Sequence, residues 1–324
     1  MMGARRWSIA CAALLTVSPP AVAAVAPSPF TAVPARATLD QLRARYQRSG
    51  DHYLDLDGVS IRYRDEGHGP ALVLLHGSRS TLDSWDGVVA RLKSHYPIIR
   101  FDQPPTGLSG PVSDAALKEI GSPEAVVAGV MDALHVDHAT IAGTSSGGTL
   151  AYYFAATYPK RVDALILSNT PADDVGTLKP ASTPALDAAI ARFKATGVEG
   201  RDFWQAYLTD LYGDPSRITP QLVDYFYGIS LRTIEPNRYK LHALTSDVAA
   251  TADHLHRVTA PVLILWGMRD PVLLPAAEHV LTARLDQAKS VSTIELSDVG
   301  HYPPLEVPAR YAALIDAYLG NAKP

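Results

Sequence analysis

The sequence predicts an α/β fold: a mostly parallel, twisted sheet with helices on both faces, interrupted by a helical insertion. Three observations predict it. Short apolar runs that do not alternate recur between helical stretches, as strands covered on both faces require. A hairpin signal, Asp57-Gly58, precedes them and places antiparallel strands at one edge of the sheet. The alternation stops at about Thr170 and resumes at Pro261, so a single sheet is interrupted by inserted helices.

The elements follow in chain order. Residues 1–26 read as an export signal. Arg5 and Arg6 form a basic start, Trp7 to Val17 is apolar, Pro19 and Pro20 break it, and Ala21 to Ala26 offers A-x-A cleavage sites. The apolar stretch is shorter than the roughly 20 residues that span a bilayer. A periplasmic or secreted protein is expected, with no stable membrane anchor once the signal peptide is removed. The Arg pair leaves the export route open. Cys11, the only cysteine, lies in this leader. The processed chain would therefore hold no thiol nucleophile, disulfide, zinc–thiolate site or iron–sulfur cluster. Processing also removes two positive charges from a chain of formal charge −4 that has no polybasic run. Nucleic acid and anionic membrane surfaces are not expected partners.

Residues 27–51 comprise a Pro/Ala/Ser linker, Pro27 to Pro34, and a short helical pattern with Leu39, Leu42 and Tyr46 on one side. Residues 52–170 form the first part of the core. Its strand patterns are Tyr53–Asp57, Val59–Arg64, Ala71–Leu75, Pro97–Phe101, Ala139–Ala142 and Val162–Leu167. Helical stretches lie at Leu82–His95, Pro123–Leu134 and Gly147–Tyr158. Residues 171–259 form a helical cap rich in aromatic residues, with helices expected at Pro184–Thr196, Arg201–Leu211, Pro220–Leu231 and Asn237–Arg257. Most of its rings, Phe203, Tyr212, Tyr225, Phe226 and Tyr239 among them, are expected to pack the cap. Trp204, Tyr207 and Tyr227 are candidates for a substrate pocket beneath it. Residues 260–324 restore the sheet rhythm with strands at Pro261–Trp266 and Ser290–Leu296, a helix near Pro275–Leu285 and a closing helix at Pro304–Leu319.

The residues that carry chemistry lie at the strand ends. Ile141 to Gly148 reads I-A-G-T-S-S-G-G, a buried strand running through G-x-S-x-G into a helix. The turn is so tight that positions two before and two after the serine cannot hold bulky side chains, and it lifts the hydroxyl off the sheet at a helix N-terminus. Ser145 is the candidate nucleophile. Ser146 is its rival, although its frame puts Thr144 at a tight position. An alcohol needs a base, and the base an orienting carboxylate. His301, in Gly300-His301-Tyr302-Pro303-Pro304-Leu305-Glu306, follows the last strand, and Asp270 follows Val262–Trp266. Loops at the carboxyl ends of parallel strands converge on one edge, and the order Ser, Asp, His is that of this elbow architecture. Asp298, and Asp173 or Asp174, remain alternatives for the acid. Glu306 is expected to make a structural salt bridge or cap, and His76 to shape its loop. In His254-Leu255-His256 the spacing puts the rings on different helix faces, so no metal site is expected there.

From His52 to the C-terminus the chain resembles serine-type members of the α/β-hydrolase superfamily with a helical cap. The matching motifs are His76-Gly77, Asp102 through Gly107-Leu108-Ser109, the Ser145 elbow, Gly267 to Asp270, and Gly300-His301 with Pro303 and Glu306. Two positions depart from the pattern, Pro105 in place of a glycine and Thr144 in place of the commoner histidine, and both bear on the pocket wall. The resemblance implies an α/β-hydrolase fold, catalytic Ser145, Asp270 and His301, and an oxyanion hole made by the backbone N–H groups of Ser78 and Ser146. It implies no cofactor and no metal, a small-molecule ester-like substrate, and a monomer or small homo-oligomer. Ester hydrolysis through an acyl-enzyme is the leading expectation. Amide or C–C bond hydrolysis by the same residues is the alternative, and a non-catalytic binding protein a third. Epoxide and haloalkane hydrolysis would need a carboxylate where Ser145 stands.

Overall fold

The hairpin opens the sheet. Strands β1 (His52–Leu56) and β2 (Val59–Glu66) are joined through Asp57 and Gly58, whose φ angles are 51° and 82°. Two left-handed central residues are what a type I′ turn demands. The computed structural model describes residues 34–68, 71–172, 182–235, 237, 240–245 and 247–321. The expected leader, the linker up to residue 33, Asp173, Asp174 and Tyr239 lie outside the described residues. No helix among the described residues is long and apolar enough to cross a membrane.

Among the described residues, six further strands complete one sheet: β3 (Leu72–Leu75), β4 (Ile98–Phe101), β5 (Ala139–Thr144), β6 (Val162–Ser168), β7 (Val262–Gly267) and β8 (Val291–Leu296). Their order is β1-β2-β4-β3-β5-β6-β7-β8. Only β1–β2 and β2–β4 pair antiparallel; the remaining pairs are parallel. The period-two geometry of a strand sorts its side chains onto two faces. Val73, Leu75, Ile141, Leu165, Leu167 and Ile264 pack on one face with the helices Pro123–Ala133 and Ser146–Thr157. Leu72, Leu74, Ala142, Ile166, Leu263 and Leu265 pack on the other, with Asp86–Leu92 and Pro308–Asn321. Both faces are dry, which is why these strands are continuously apolar in sequence.

The helical insertion between β6 and β7 has a core of its own. Phe203, Trp204, Leu208, Leu211, Val223 and Phe226 cluster there, and the Trp204 and Phe226 rings stack at 5.4 Å. Helix Pro184–Thr196 starts from a Thr183 cap with proline in its first turn and stops at Gly197, whose φ is 71°. The expected helix Asn237–Arg257 is instead two, Lys240–Ala243 and Val248–His256. Asp247 causes the restart, its Oδ1 accepting from Ala249 N at 2.8 Å and Ala250 N at 3.1 Å. The closing helix is likewise broken, into Pro303–Glu306 and Pro308–Asn321, because Pro308 has no N–H to continue the first turn and biases Val307 away from helical angles. A helix the sequence reading passed over, Asp114–Ile120, is capped by Ser113 and ended by Gly121 at φ 72°.

Beneath the loops that leave β3 and β4 lies a buried ionic cluster. Arg62, fully enclosed, pairs with Asp51 at 2.8 Å, Asp83 at 2.9 Å and Asp102 at 3.2 Å. Arg64 joins Asp51 at 2.6 Å and Asp83 at 3.0 Å. Tyr225 of the insertion donates to Asp83 at 2.7 Å, which ties the helices to this cluster. Burial alone would raise the Asp83 carboxyl, but Arg62, Arg64 and the Tyr225 hydroxyl outweigh it and hold it down at about 2. A depressed folded pKa stabilises above the unfolded value and loses that stabilisation as pH falls through the folded one. The window here runs from 3.8 down to about 2. Asp83→Asn should lower stability at neutral pH by about 1–3 kcal/mol, since Arg62 and Arg64 keep Asp51 and Asp102 but lose charge-assisted hydrogen bonds to Asp83. Its thermal melts should also decline less steeply than those of the unaltered protein across that acid window, and equal slopes would remove Asp83 from the acid-labile groups.

Candidate active site

Strand β5 ends in a turn that only small neighbours permit. Ser145 adopts φ 52° and ψ −127° before the helix Ser146–Thr157 begins. A Cβ on Gly143 would run into the Gly147 carbonyl, and one on Gly147 into the carbonyl of Leu75. The turn is held by Ser145 N donating to Ser168 O at 2.9 Å, while Ser145 O accepts from Gly148 N and Thr149 N. A left-handed serine at a helix start projects its hydroxyl away from the sheet.

His301 meets that hydroxyl. Its Nε2 lies 2.9 Å from Ser145 Oγ, and its Nδ1 lies 2.7 Å from Asp270 Oδ2. An ionised carboxylate can only accept, so Nδ1 carries the proton and Nε2 is left to accept from the serine. Asp270 is saturated: Oδ1 accepts from Val272 N at 2.6 Å and Leu273 N at 2.9 Å, and Oδ2 also from Asn169 Nδ2 at 2.7 Å. Asn169, at φ 41° just after β6, further exchanges hydrogen bonds with the Gly267 backbone. It braces the carboxylate from the neighbouring strand, and the sequence reading did not single it out. Its signal was a polar residue directly following a buried strand.

The histidine loop is itself anchored. His301 N donates to Leu211 O at 2.8 Å, a carbonyl of the insertion. Glu306 accepts from Gly300 N at 2.7 Å, Asp214 N at 3.0 Å, Gly213 N at 3.1 Å and Arg217 Nη1 at 2.7 Å. Asp298 turns away from His301 towards Arg310 and Arg217, whose hydrogen bonds hold its carboxyl down at about 2. His76 bonds Gly77 O through Nδ1 and accepts from Gln103 N through Nε2, so its buried ring is neutral and its pKa is lowered by that burial.

Ser78 and Ser146 face each other beside the turn, with their hydroxyl oxygens 3.0 Å apart. Neither backbone N–H has an acceptor among the described residues. Next to them opens a cavity of about 380 Å³, walled by Pro105, Val126, Leu150, Trp204, Ile229 and Leu241, with Arg79, Glu199 and His242 adding polarity. Of the three rings expected in a pocket, Trp204 lines this cavity and Tyr207 and Tyr227 do not. Tyr207 lies four residues after Phe203 on one helical stripe and stacks on it at 5.6 Å. Tyr227 follows Phe226 and is rotated about 100° around the helix from it; it packs against the insertion's own cluster. His254 stacks on Tyr153 at 3.8 Å and His256 bonds Asp286 at 2.7 Å, so the two rings take separate partners. Among the described residues no three potential ligands converge as a metal site.

The fold and this constellation define a class, and the family profile of the alpha/beta hydrolase fold matches residues 70–308: the chain belongs to that family of enzymes. It is 28% identical over 270 residues to the pimeloyl-[acyl-carrier protein] methyl ester esterase of Nitrosomonas europaea, covering 80% of this chain and 99% of that one. It is 29% identical over 225 residues to the 2-hydroxy-6-oxononadienedioate/2-hydroxy-6-oxononatrienedioate hydrolase of Burkholderia vietnamiensis, covering 66% and 76% of the two chains. Among solved structures, the meta-cleavage product hydrolase of Pseudomonas fluorescens superposes with a TM-score of 0.67 at 22% identity, over 84% of this chain and 98% of that one. That last likeness is one of fold.

Two substitutions test which acid orients the imidazole. Asp270→Asn should slow acylation of Ser145, read with an aryl ester or a phosphonate probe, by up to about four orders of magnitude, because the amide favours the wrong tautomer. Asp298→Asn should leave that rate within a few-fold. A crippled Asp298 variant beside an active Asp270 variant would move the acid to the other loop.

Proposed function

We propose that the protein hydrolyses a carboxylic ester through an acyl-enzyme on Ser145. The observation that carries this reading is the unbroken series from Ser145 Oγ through His301 to the saturated Asp270 carboxylate. In the first half-reaction Ser145 Oγ attacks the ester carbonyl and His301 Nε2 takes its proton. His301 then delivers that proton to the departing alcohol oxygen. In the second half-reaction water attacks the acyl-enzyme and loses its proton to Nε2, and Ser145 leaves protonated. Asp270 stays ionised and steadies the imidazolium. The Ser78 and Ser146 N–H groups would receive the negative oxygen of each tetrahedral intermediate, a contribution of a few kcal/mol per donor.

The likeness to a methyl ester esterase supports the ester reading. The likeness to a hydrolase of 2-hydroxy-6-oxo dienedioates supports C–C bond cleavage as the second reading, since the same residues can serve a carbon leaving group. On its leader the protein is proposed to work in the periplasm or outside the cell.

A series of p-nitrophenyl esters from acetate to octanoate tests the reading. Turnover and phosphonate labelling should vanish in Ser145→Ala and persist in Ser146→Ala; the reverse pattern would reassign the nucleophile. An unaltered protein that takes up the phosphonate yet turns over a diketone and no ester would favour C–C cleavage. Trp204→Ala should change the preference between short and long acyl chains by about 1–3 kcal/mol in kcat/KM, whereas an unchanged preference with a lowered Tm would place that ring among purely structural residues.

A further inference from the structure

We propose that Arg79 is a positioning residue through which the helical insertion holds the Ser78 amide in its working place. The proposal rests on the reading of Ser78 as an oxyanion donor. The loop after β3 is pinned firmly before Ser78: Gly77 N donates to the Tyr302 hydroxyl at 2.6 Å, and Gln103 Nε2 donates to the His76 carbonyl at 2.5 Å. After Ser78 the sheet domain holds Leu82 N through Asp102 at 2.8 Å, and between the two the insertion adds contacts of its own. Ser78 and Arg79 are the central residues of a turn, and Arg79 has φ 57°. A left-handed second central residue is the place where glycine is usual. An arginine there is strained and persists only if its surroundings hold it.

Those surroundings belong to the insertion. Arg79 Nε donates to Glu199 Oε1 at 3.0 Å, and the guanidinium lies 5.8 Å from the Phe203 ring and 5.6 Å from the Tyr207 ring. A half-exposed ion pair alone contributes little. Here the carboxylate is largely buried, at 13% side-chain exposure, and the two rings that receive the cation are stacked on each other. A planar, always-charged fork suits such a site better than an ammonium would. Two residues further on, the Thr81 hydroxyl meets the Tyr225 hydroxyl at 2.7 Å, so a second contact with the insertion closes the loop. Ser78 therefore sits between an anchor made by the sheet domain and an anchor made by the inserted helices. The position of its N–H reports whether those helices are seated. Arg79 also borders the cavity, so a direct substrate contact is the rival role, and the two differ in what glycine would do.

The test compares Arg79→Ala, Arg79→Gly, Arg79→Lys and Glu199→Gln with the unaltered chain. Steady-state turnover of p-nitrophenyl butyrate gives kcat and KM. Inhibition by an aryl trifluoromethyl ketone, whose reversible adduct on Ser145 sets an oxyanion against Ser78 and Ser146, reads the oxyanion hole alone. Arg79→Ala should lower kcat by up to about 100-fold, the scale of an ångström-size misplacement, with KM within about threefold and ketone affinity reduced in step with kcat. Arg79→Gly should recover most of both losses, because glycine takes φ above zero unaided. Arg79→Lys and Glu199→Gln should fall between, and the Arg79→Ala/Glu199→Gln pair should be no worse than Arg79→Ala alone, since both act through one contact. Equal losses in the alanine and glycine variants would overturn the proposal in favour of substrate contact. So would a raised KM at unchanged kcat, or unchanged kcat and ketone affinity throughout. If the alanine variant fails to fold, the glycine, lysine and glutamine variants still decide. The ketone needs no ester, so a protein inactive on esters would sink the ester reading while the Arg79 comparison stands. A failure of the unaltered chain to form the adduct would overturn the Ser145 reading and this proposal together.

Discussion

A serine held at φ 52° between a strand and a helix exists only because the positions two residues away on either side carry no Cβ. Everything else at the carboxyl edge of the sheet is arranged around that contact. With Gly143 and Gly147 in van der Waals proximity to backbone, β5 can end abruptly and the following helix can start within one residue. The Ser145 hydroxyl then faces His301, while Ser146 at the start of the helix borders the cavity. An added methyl group at Gly143 would strike the backbone of the helix start at Gly147 and Gly148, and one at Gly147 would strike the carbonyls of Leu75 and His76.

Around this turn the loops are organised by buried carboxylates rather than by apolar packing. Asp102 accepts from Leu82 N and Leu108 N and meets Arg62; Asp270 accepts from two amides, Asn169 and His301; Glu306 accepts from three amides and Arg217. A buried charge is tolerable when every lone pair is engaged. Asp102 and Glu306 thereby each fix the backbone of two segments of the chain, which is what a site assembled from separate loops requires. Asp270 fixes the backbone of its own loop and holds the side chains of Asn169 and His301. The other two work at one remove, by fixing the loops that carry neighbouring groups.

Much of this was legible in the sequence. Strand positions were readable because strands dry on both faces are continuously apolar, and the helices Pro184–Thr196 and Arg201–Leu211 because threonine, proline and glycine punctuate their ends. Ser145, Asp270 and His301 were readable as candidates because strand ends with small or polar residues stand out against apolar runs, and the structure brings their side chains together. Pro308 marks the break in the sequence, but the apolar periodicity continues across it and masks the missing N–H. The roles of Asn169, Arg79 and Arg217 were not legible. Each depends on a partner tens of residues or more away in the chain, and no local spacing reports such a pairing. The same holds for the pocket rings: Trp204 and Tyr207 share a helix in sequence, and only the crossing of that helix over its neighbours decides which of them meets the cavity.

The hydrogen bond from His301 N to Leu211 O, together with the Glu306 bonds to Gly213, Asp214 and Arg217, has a consequence for how such proteins can diversify. The insertion is not a detachable module resting on a finished site, because part of the frame of His301 is made of inserted chain. Exchanging residues between β6 and β7 for those of a relative would leave Glu306 buried with empty lone pairs unless the stretch from Leu211 to Arg217 were kept. Variation in the inserted helices is thus constrained at the end that leans on the histidine loop, and Arg232, which donates to the carbonyls of Gly107 and Ser109, ties down a second point of the insertion.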